Sequence, residues 1–314
     1  MHALILTDDG PRFTTDYPEP ALTGEARIRL SLGGICATDL ELVSGYMGFT
    51  GVLGHEWVGV VEEASEPDLV GRRVVGEINC PCRICATCLA GRPTHCPHRT
   101  VLGIAGRNGA FAERFSLPVD NLFVVPDAVP DEAAVFVEPL AAALQILVQA
   151  HIKPTQRVVV LGLGRLGQLC ARVLALSGAE VTGVSRTEAK RSLLPSGIAT
   201  AHPDDVAPGA DVVVDCTGSA AGMALAARLV RPGGRVVLKT TVHDPLPVSP
   251  TMWVIDEVTV IGSRCGPFGP ALRLLETGAV DPRPLITGRA SLEDGVDALT
   301  EAARPGSIKV LLEP

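Results

Sequence analysis

Apolar residues along this chain follow two rhythms, and the change comes near Pro139. Up to about residue 140 they fall in short runs rich in β-branched side chains, such as EARIRLSLGGI (25–35), WVGVVEEA (57–64) and GRRVVGEI (71–78). Turns containing Gly and Pro separate them. Such runs predict short strands of a small β-barrel or sandwich that carries its sites on loops. From Pro139 onward the pattern changes. AAALQILVQAHI (141–152) has helical periodicity, and Pro139 suits a first helical position. RVVVLGLG, a helical RLGQLCARVLALSG, EVTGVSR, DVVVDCTG, a helical AAGMALAARLV, GRVVLKT and EVTVIGSR follow in order. Short buried strands alternating with helices predict a doubly wound parallel sheet. Beyond about Pro267 come helical ALRLLETG, helical LEDGVDALTEA and a last strand, SIKVLLEP, which is expected to return to the first domain.

The length of 314 residues exceeds one typical domain of roughly 100–200 residues, in keeping with that division. No internal repeat or low-complexity segment interrupts it. Aromatics are scarce and the apolar mass is Val, Leu, Ala and Ile, as a buried parallel sheet requires. A net charge of −8 with no basic stripe argues against a nucleic-acid or anionic-membrane surface. The N-terminal MHALILTDDG lacks the basic and apolar regions of a signal peptide. The longest apolar stretch, Ala133 to Ala150, is broken by Glu138 and Pro139, so no membrane span is expected. The expected location is cytoplasmic, where the nine cysteines are thiols or metal ligands, not disulfides.

Five of those cysteines crowd into CPCRICATCLAGRPTHC (80–96). Two-residue gaps let Cys82, Cys85 and Cys88 wrap one ion, and a short loop returns Cys96 as the fourth ligand. Four thiolates select Zn²⁺ and leave no open position, which defines a structural site. An iron–sulfur cluster is the lesser rival. Cys80 is left over, and His95 and His98 are read as surface loop residues.

VVVLGLGRLG places Gly162, Gly164 and Gly167 after an apolar strand and before a helix, with Arg165 and Leu166 between the last two. The first glycine permits a tight turn, the second admits a pyrophosphate, and the third lets helix and strand pack. An acidic residue would follow the second strand if the ribose carried a free 2′-hydroxyl. Here Ser185 and Arg186 stand in that place, with Lys190 and Arg191 a turn onward. These residues suit a 2′-phosphate, so NADP(H) is expected over NAD(H). Cys216 and Thr217, in DCTGS, end a further strand and are expected on the adenosine or ribose side. Cys170 is read as core.

GICATDL (34–40), GHEWVGVV (54–61), the four-cysteine lobe, VEPLAAAL (137–144), GLGRLG and their order resemble the zinc-dependent medium-chain dehydrogenases over nearly the whole chain. That family includes alcohol, sorbitol, threonine and glucose dehydrogenases. The resemblance implies an α/β protein: a GroES-like β-barrel catalytic domain at 1–140 and 267–314, with a structural zinc lobe at 80–97, plus a Rossmann domain at 141–266. It also implies a catalytic zinc bound by Cys36 and His55, a third protein ligand from Glu138 or Glu56, and one position open for water or substrate. Zinc would thus number about two ions per chain, one catalytic and one structural. Asp39 would fix the tautomer of His55. Thr38 matches the hydroxyl that carries the substrate proton, whereas the relay-ending His of many relatives is replaced by Glu41. Arg264, in IGSRCGPF, matches a cleft-lining loop of the sorbitol-type branch and is suggested to pair with Glu138.

The implied substrate is a secondary alcohol, polyol or sugar, or the matching carbonyl, and the implied assembly is a homodimer or homotetramer. Two rival readings stand beside this one. A zinc-free quinone oxidoreductase is disfavoured by Cys36, His55 and Glu138. A non-catalytic dinucleotide sensor or scaffold would keep the fold without the chemistry.

Overall fold

The computed structural model describes residues 1–21, 24–240 and 250–314. They form two compact units, one made of Met1–Glu138 with Phe268–Pro314 and the other of Pro139–Pro267.

The first unit is built on a seven-stranded sheet. Its main path runs Leu122–Val124, Arg73–Gly76, Glu56–Glu63, Ala26–Gly34, Lys309–Glu313 and Ile286–Ser291, and Arg114–Leu117 also pairs with Ala26–Gly34. Along Ala26–Gly34 the side chains of Ala26, Ile28, Leu30 and Leu32 turn inward and are at most 4% exposed, the two-residue alternation of a half-buried strand. A smaller sheet joins Gly10–Thr14, Ala3–Thr7 and Gly51–Val52. A third, of Asn79–Cys80, Thr100–Leu102 and Gly106–Arg107, flanks the cysteine-rich loop.

Register in the large sheet brings distant residues together. Gly34 pairs with Glu56 on one side and with Leu311 on the other. The chain then leaves the sheet at Ile35, and a seven-residue helix, Ala37–Val43, begins directly after Cys36. Periodicity did not mark this helix, because only Asp39 and Leu42 of its residues are buried. Its start is fixed instead by Asp39, whose Oδ2 accepts the backbone N–H of Cys36 at 2.8 Å.

The second unit has a six-stranded, wholly parallel sheet. Its order is Ala199–Ala201, Glu180–Val184, Arg157–Leu161, Ala210–Asp215, Val230–Leu238 and Thr259–Gly262. Val158, Val159, Val160 and Leu161 are all but fully buried, so the central strand is a continuous apolar run and not an alternating one. From Arg157–Leu161 the chain first builds toward one edge of the sheet, then crosses to the other. A crevice is thereby left at the carboxyl ends of Arg157–Leu161 and Ala210–Asp215. Among the described residues, no helix is long and apolar enough to cross a membrane.

Candidate functional site

Sheet register and the Ala37–Val43 helix converge on a cluster in the first unit. One ligand atom each from Cys36, His55 and Glu56 lies within 4.8 Å of the others. Cys36 is half-buried, while His55 and Glu56 are 3% and 1% exposed. Asp39, fully buried, places Oδ1 3.2 Å from Nδ1 of His55. With Nδ1 facing a carboxylate, Nε2 is the ring nitrogen left to offer a lone pair. Burial pushes the His55 pKa down, but Asp39 and Cys36 outweigh it and hold the value well above 6.5. A thiol, an imidazole and a carboxylate gathered in a buried pocket, with the imidazole propped from behind, fit a divalent metal of zinc's preferences.

Glu56 is also engaged elsewhere. Its Oε2 forms a buried ion pair with Lys309 Nζ, and that ammonium lies 3.4 Å from the carbonyl of Ile35 and 5.4 Å from the ring centre of Phe136. Lys309 was not foreseen from the sequence. The available signal was a lysine inside the otherwise apolar strand SIKVLLEP, since such a cation is rarely buried without a partner. Glu138 stands in the first turn of the Val137–Gln149 helix and is outside the three-residue group. Its pKa is pushed up to about 7, by burial first and then by the charges of Glu56 and Glu77, against the opposing pull of His55 and Lys309. Glu77, a further acid near this cluster, was likewise missed.

Thr38 is half-buried, with its hydroxyl 3.9 Å from Cys36 Sγ, and Glu41 is exposed three residues along the same helix. The two positions are therefore neighbours on one helix face. Arg264 belongs to the second unit, where it is exposed and its carbonyl accepts from Lys239 Nζ at 3.0 Å.

The four cysteines of the loop, Cys82, Cys85, Cys88 and Cys96, also have their sulfurs within 4.8 Å of one another. Sγ separations are 3.5 Å for Cys85–Cys88, 3.5 Å for Cys82–Cys96 and 3.8 Å for Cys85–Cys96. Ligands at the usual Zn–S distance of about 2.3 Å on a tetrahedron lie roughly 3.8 Å apart, so this spacing fits one ion and is far too long for disulfides. The N–H groups of Cys82 and His98 point at Cys96 Sγ from 3.5 and 3.4 Å. Burial raises the Cys96 pKa, yet those two donors and the neighbouring thiols lower it overall, which favours the thiolate a metal needs. Cys80 is buried outside the group of four, and His95 and His98 are exposed.

In the second unit, Gly162 has φ +86°, and a Cβ there would lie 3.0 Å from the carbonyl oxygen of Cys216. At Gly167 a Cβ would fall 1.8 Å from the carbonyl oxygen of Gly162, so only glycine lets the Arg165–Ala175 helix start this close to its strand. Nothing lies within 4 Å of a Cβ at Gly164, and that open space at a helix start suits a pyrophosphate. Arg165 and Leu166 begin the helix and are half-buried. At the neighbouring strand end, Asp215 Oδ1 accepts from Thr217 N at 2.8 Å and Oγ1 at 2.7 Å. Cys216 Sγ lies 3.9 Å from the fully buried Cys170 Sγ. After Glu180–Val184, Ser185 is half-buried and Arg186 exposed, and the short helix Glu188–Arg191 carries Lys190.

Comparison with known proteins adds independent findings. Residues 23–127 match the model of the alcohol dehydrogenase GroES-like domain, and residues 166–277 match that of the zinc-binding dehydrogenases. A zinc-binding dehydrogenase from Sinorhizobium meliloti 1021, solved with NADP bound, is 30% identical; the likeness covers 100% of this chain and 99% of that one, with a TM-score of 0.90. Galactitol-1-phosphate dehydrogenase from Escherichia coli is 26% identical, with 100% of both chains covered and a TM-score of 0.91. D-xylulose reductase A of Aspergillus oryzae is 28% identical over 329 residues, 95% of this chain and 92% of its own length.

Proposed function

The chain belongs to the zinc-dependent medium-chain dehydrogenases, oxidoreductases acting on CH–OH groups, and on that premise we propose that it interconverts a secondary alcohol, polyol or sugar and its carbonyl using NADP(H) and a catalytic zinc. The observation that carries this reading is the meeting of Cys36, His55 and Glu56 in one buried group, with Asp39 behind the imidazole. Polyol and sugar substrates are favoured because relatives covering nearly the whole chain are a xylulose reductase and a galactitol-1-phosphate dehydrogenase.

When bound, the zinc ion supplies Lewis acidity toward an alcohol or carbonyl oxygen, and the nicotinamide supplies hydride chemistry. The chain's own residues do the rest. Cys36 and His55 would hold the ion, with Glu56 or Glu138 as third protein ligand. Asp39 keeps Nδ1 of His55 protonated, so Nε2 is the nitrogen that would give up its proton to the ion. The Thr38 hydroxyl would take the substrate proton and pass it to Glu41 or to water. Gly162, Gly164 and Gly167 leave room for the pyrophosphate, and Ser185, Arg186 and Lys190 would meet the 2′-phosphate. Cys82, Cys85, Cys88 and Cys96 would close around a second, structural zinc.

The test is a panel of polyols, sugars and simple alcohols assayed with NADP(H) and with NAD(H), beside metal analysis of the purified chain. About two zinc ions per chain and chelator-sensitive, NADP-linked turnover are expected. A chain loaded only at the cysteine loop, yet fully active, would end the catalytic-zinc reading.

A further inference from the structure

The segment that follows Glu180–Val184 is tied to the glycine turn by two buried polar side chains. Gln168 and Arg172 sit one helical turn apart on Arg165–Ala175 and are 0% and 6% exposed. The Gln168 amide nitrogen donates to the carbonyl of Lys190 at 2.6 Å and, more weakly, to that of Leu163 at 3.5 Å. Leu163 lies within the glycine turn, so one side chain spans both segments. Arg172 donates to Gln168 Oε1 at 2.7 Å, to the Gln168 carbonyl at 3.0 Å and to the carbonyl of Leu193 at 2.6 Å.

Chemistry fixes how this brace can be arranged. A guanidinium has only donors, so the amide oxygen of Gln168 must face Arg172 and its NH₂ must face Lys190 and Leu163. Reversing the amide would set NH₂ against guanidinium and oxygen against carbonyl. Within the braced segment, Arg191 donates to the carbonyl of Ser185 at 2.5 Å, and Ser185 Oγ accepts from the N–H of Thr187 at 3.2 Å. Residues 185–191 are therefore closed on themselves by hydrogen bonds, and the segment is anchored through Lys190 and Leu193.

We propose that Gln168 and Arg172 are positioning residues for cofactor specificity: they set the separation between the pyrophosphate turn and the 185–191 loop, and so decide whether that loop can meet a 2′-phosphate. This rests on the NADP(H) reading above and adds the residues that enforce it. Neither side chain needs to touch the cofactor. A loop bearing Ser185, Arg186 and Lys190 discriminates only when it is held at the right distance from the bound diphosphate.

The experiment compares calorimetric binding of 2′,5′-ADP and 5′-AMP to the purified full chain and to Gln168→Leu, Arg172→Lys and Gln168→Glu. The wild type should prefer 2′,5′-ADP. Gln168→Leu, which keeps the volume but loses every side-chain hydrogen bond, should cut that preference by about tenfold while leaving 5′-AMP affinity within about threefold. Gly162, Gly164 and Gly167, which leave room for the phosphates, are unchanged in it, and the bond to Leu163 is the weaker of the two. Arg172→Lys should retain part of the preference. Gln168→Glu, which keeps an acceptor toward Arg172 but sets a carboxylate oxygen against the Lys190 carbonyl, should behave like the leucine variant. It is the decisive variant if Gln168→Leu does not fold. A lowered melting temperature with an unchanged preference would reduce the pair to structural packing and overturn the inference. A wild type with no preference would instead overturn the NADP(H) reading itself.

Discussion

The cysteine loop and the Cys36–His55–Glu56 group are both clusters that could hold a metal ion in the first unit, yet they are assembled in opposite ways. The loop draws four chemically identical thiols from residues 82–96, fastened by local turns. The other group joins a helix start, the head of a strand and, through Glu56, a lysine 253 residues further along the chain. It mixes donor types and keeps a charged competitor, Lys309, on one of them. A closed set of four thiolates suits permanent occupancy, whereas a mixed set with a pre-engaged carboxylate suits a site whose coordination changes during work. Location within one unit does not decide the role; ligand set and surroundings do.

The loop is where the comparison can be broken most severely. Binding at structural zinc sites is worth about 10–16 kcal/mol, close to the whole stability of a domain. Cys96→Ala, at a fully buried sulfur, should remove about one zinc per chain and lower the melting temperature by about 10 °C or more. Turnover per correctly folded molecule should change little. Cys36→Ala should do the reverse, with turnover falling about 10³-fold or more and melting shifting by only about 2 °C. If both variants lose stability alike, the two clusters share one role and the contrast fails. Metal analysis and thermal melts of the same samples decide it.

Lys309→Met sharpens the contrast at a smaller scale. Breaking a buried ion pair by removing one partner costs about 3–5 kcal/mol, because the remaining charge is stranded. In metal-free protein the stranded charge is that of Glu56. A bound zinc offers that carboxylate a new partner, so the loss should shrink in zinc-loaded protein and zinc should be held more tightly against a chelator. Equal losses with and without zinc would make Lys309 a simple structural counter-ion. Urea titrations of the metal-free and loaded forms give the answer.

This difference in assembly also explains what could be read without coordinates. The cysteine loop and the glycine turn were legible because their chemistry is written in consecutive residues: gaps of two between thiols, and glycines at fixed spacing after an apolar strand. The alternating second unit was legible for the same reason. Cys36 and His55 gained meaning only through resemblance, since nothing in their spacing reveals that Gly34 pairs with Glu56. Lys309 was missed because long-range register, and not local pattern, brings its strand beside Gly34, and Glu77 because only its charge, felt by Glu138, links it to the cluster. Gln168 and Arg172 were not singled out, because helical periodicity marks RLGQLCARVLALSG as a helix without showing which of its polar side chains are buried.

The smallest expected effect concerns how far the cysteine loop depends on its surroundings. Arg107, on a strand beside the loop, grips Glu25 through two nitrogens at 2.8 and 2.7 Å, and Ser116 adds a third donor at 2.8 Å. Burial raises the Glu25 pKa, but these partners outweigh it and hold the value below the ordinary 4.5. A carboxylate depressed in the folded state contributes stability that is complete above the unfolded value near 4.5 and disappears as pH falls through the lower folded value. Glu25→Gln should therefore cost about 1–3 kcal/mol between pH 5 and 8, with the gap to wild type narrowing as pH falls below the unfolded value near 4.5. Zinc content should stay unchanged, because the loop's own turns and N–H donors orient its thiolates. A gap that does not narrow at all as pH falls would mean Glu25 acts through packing and not through its charge, and a lost zinc would mean that the loop is not self-contained.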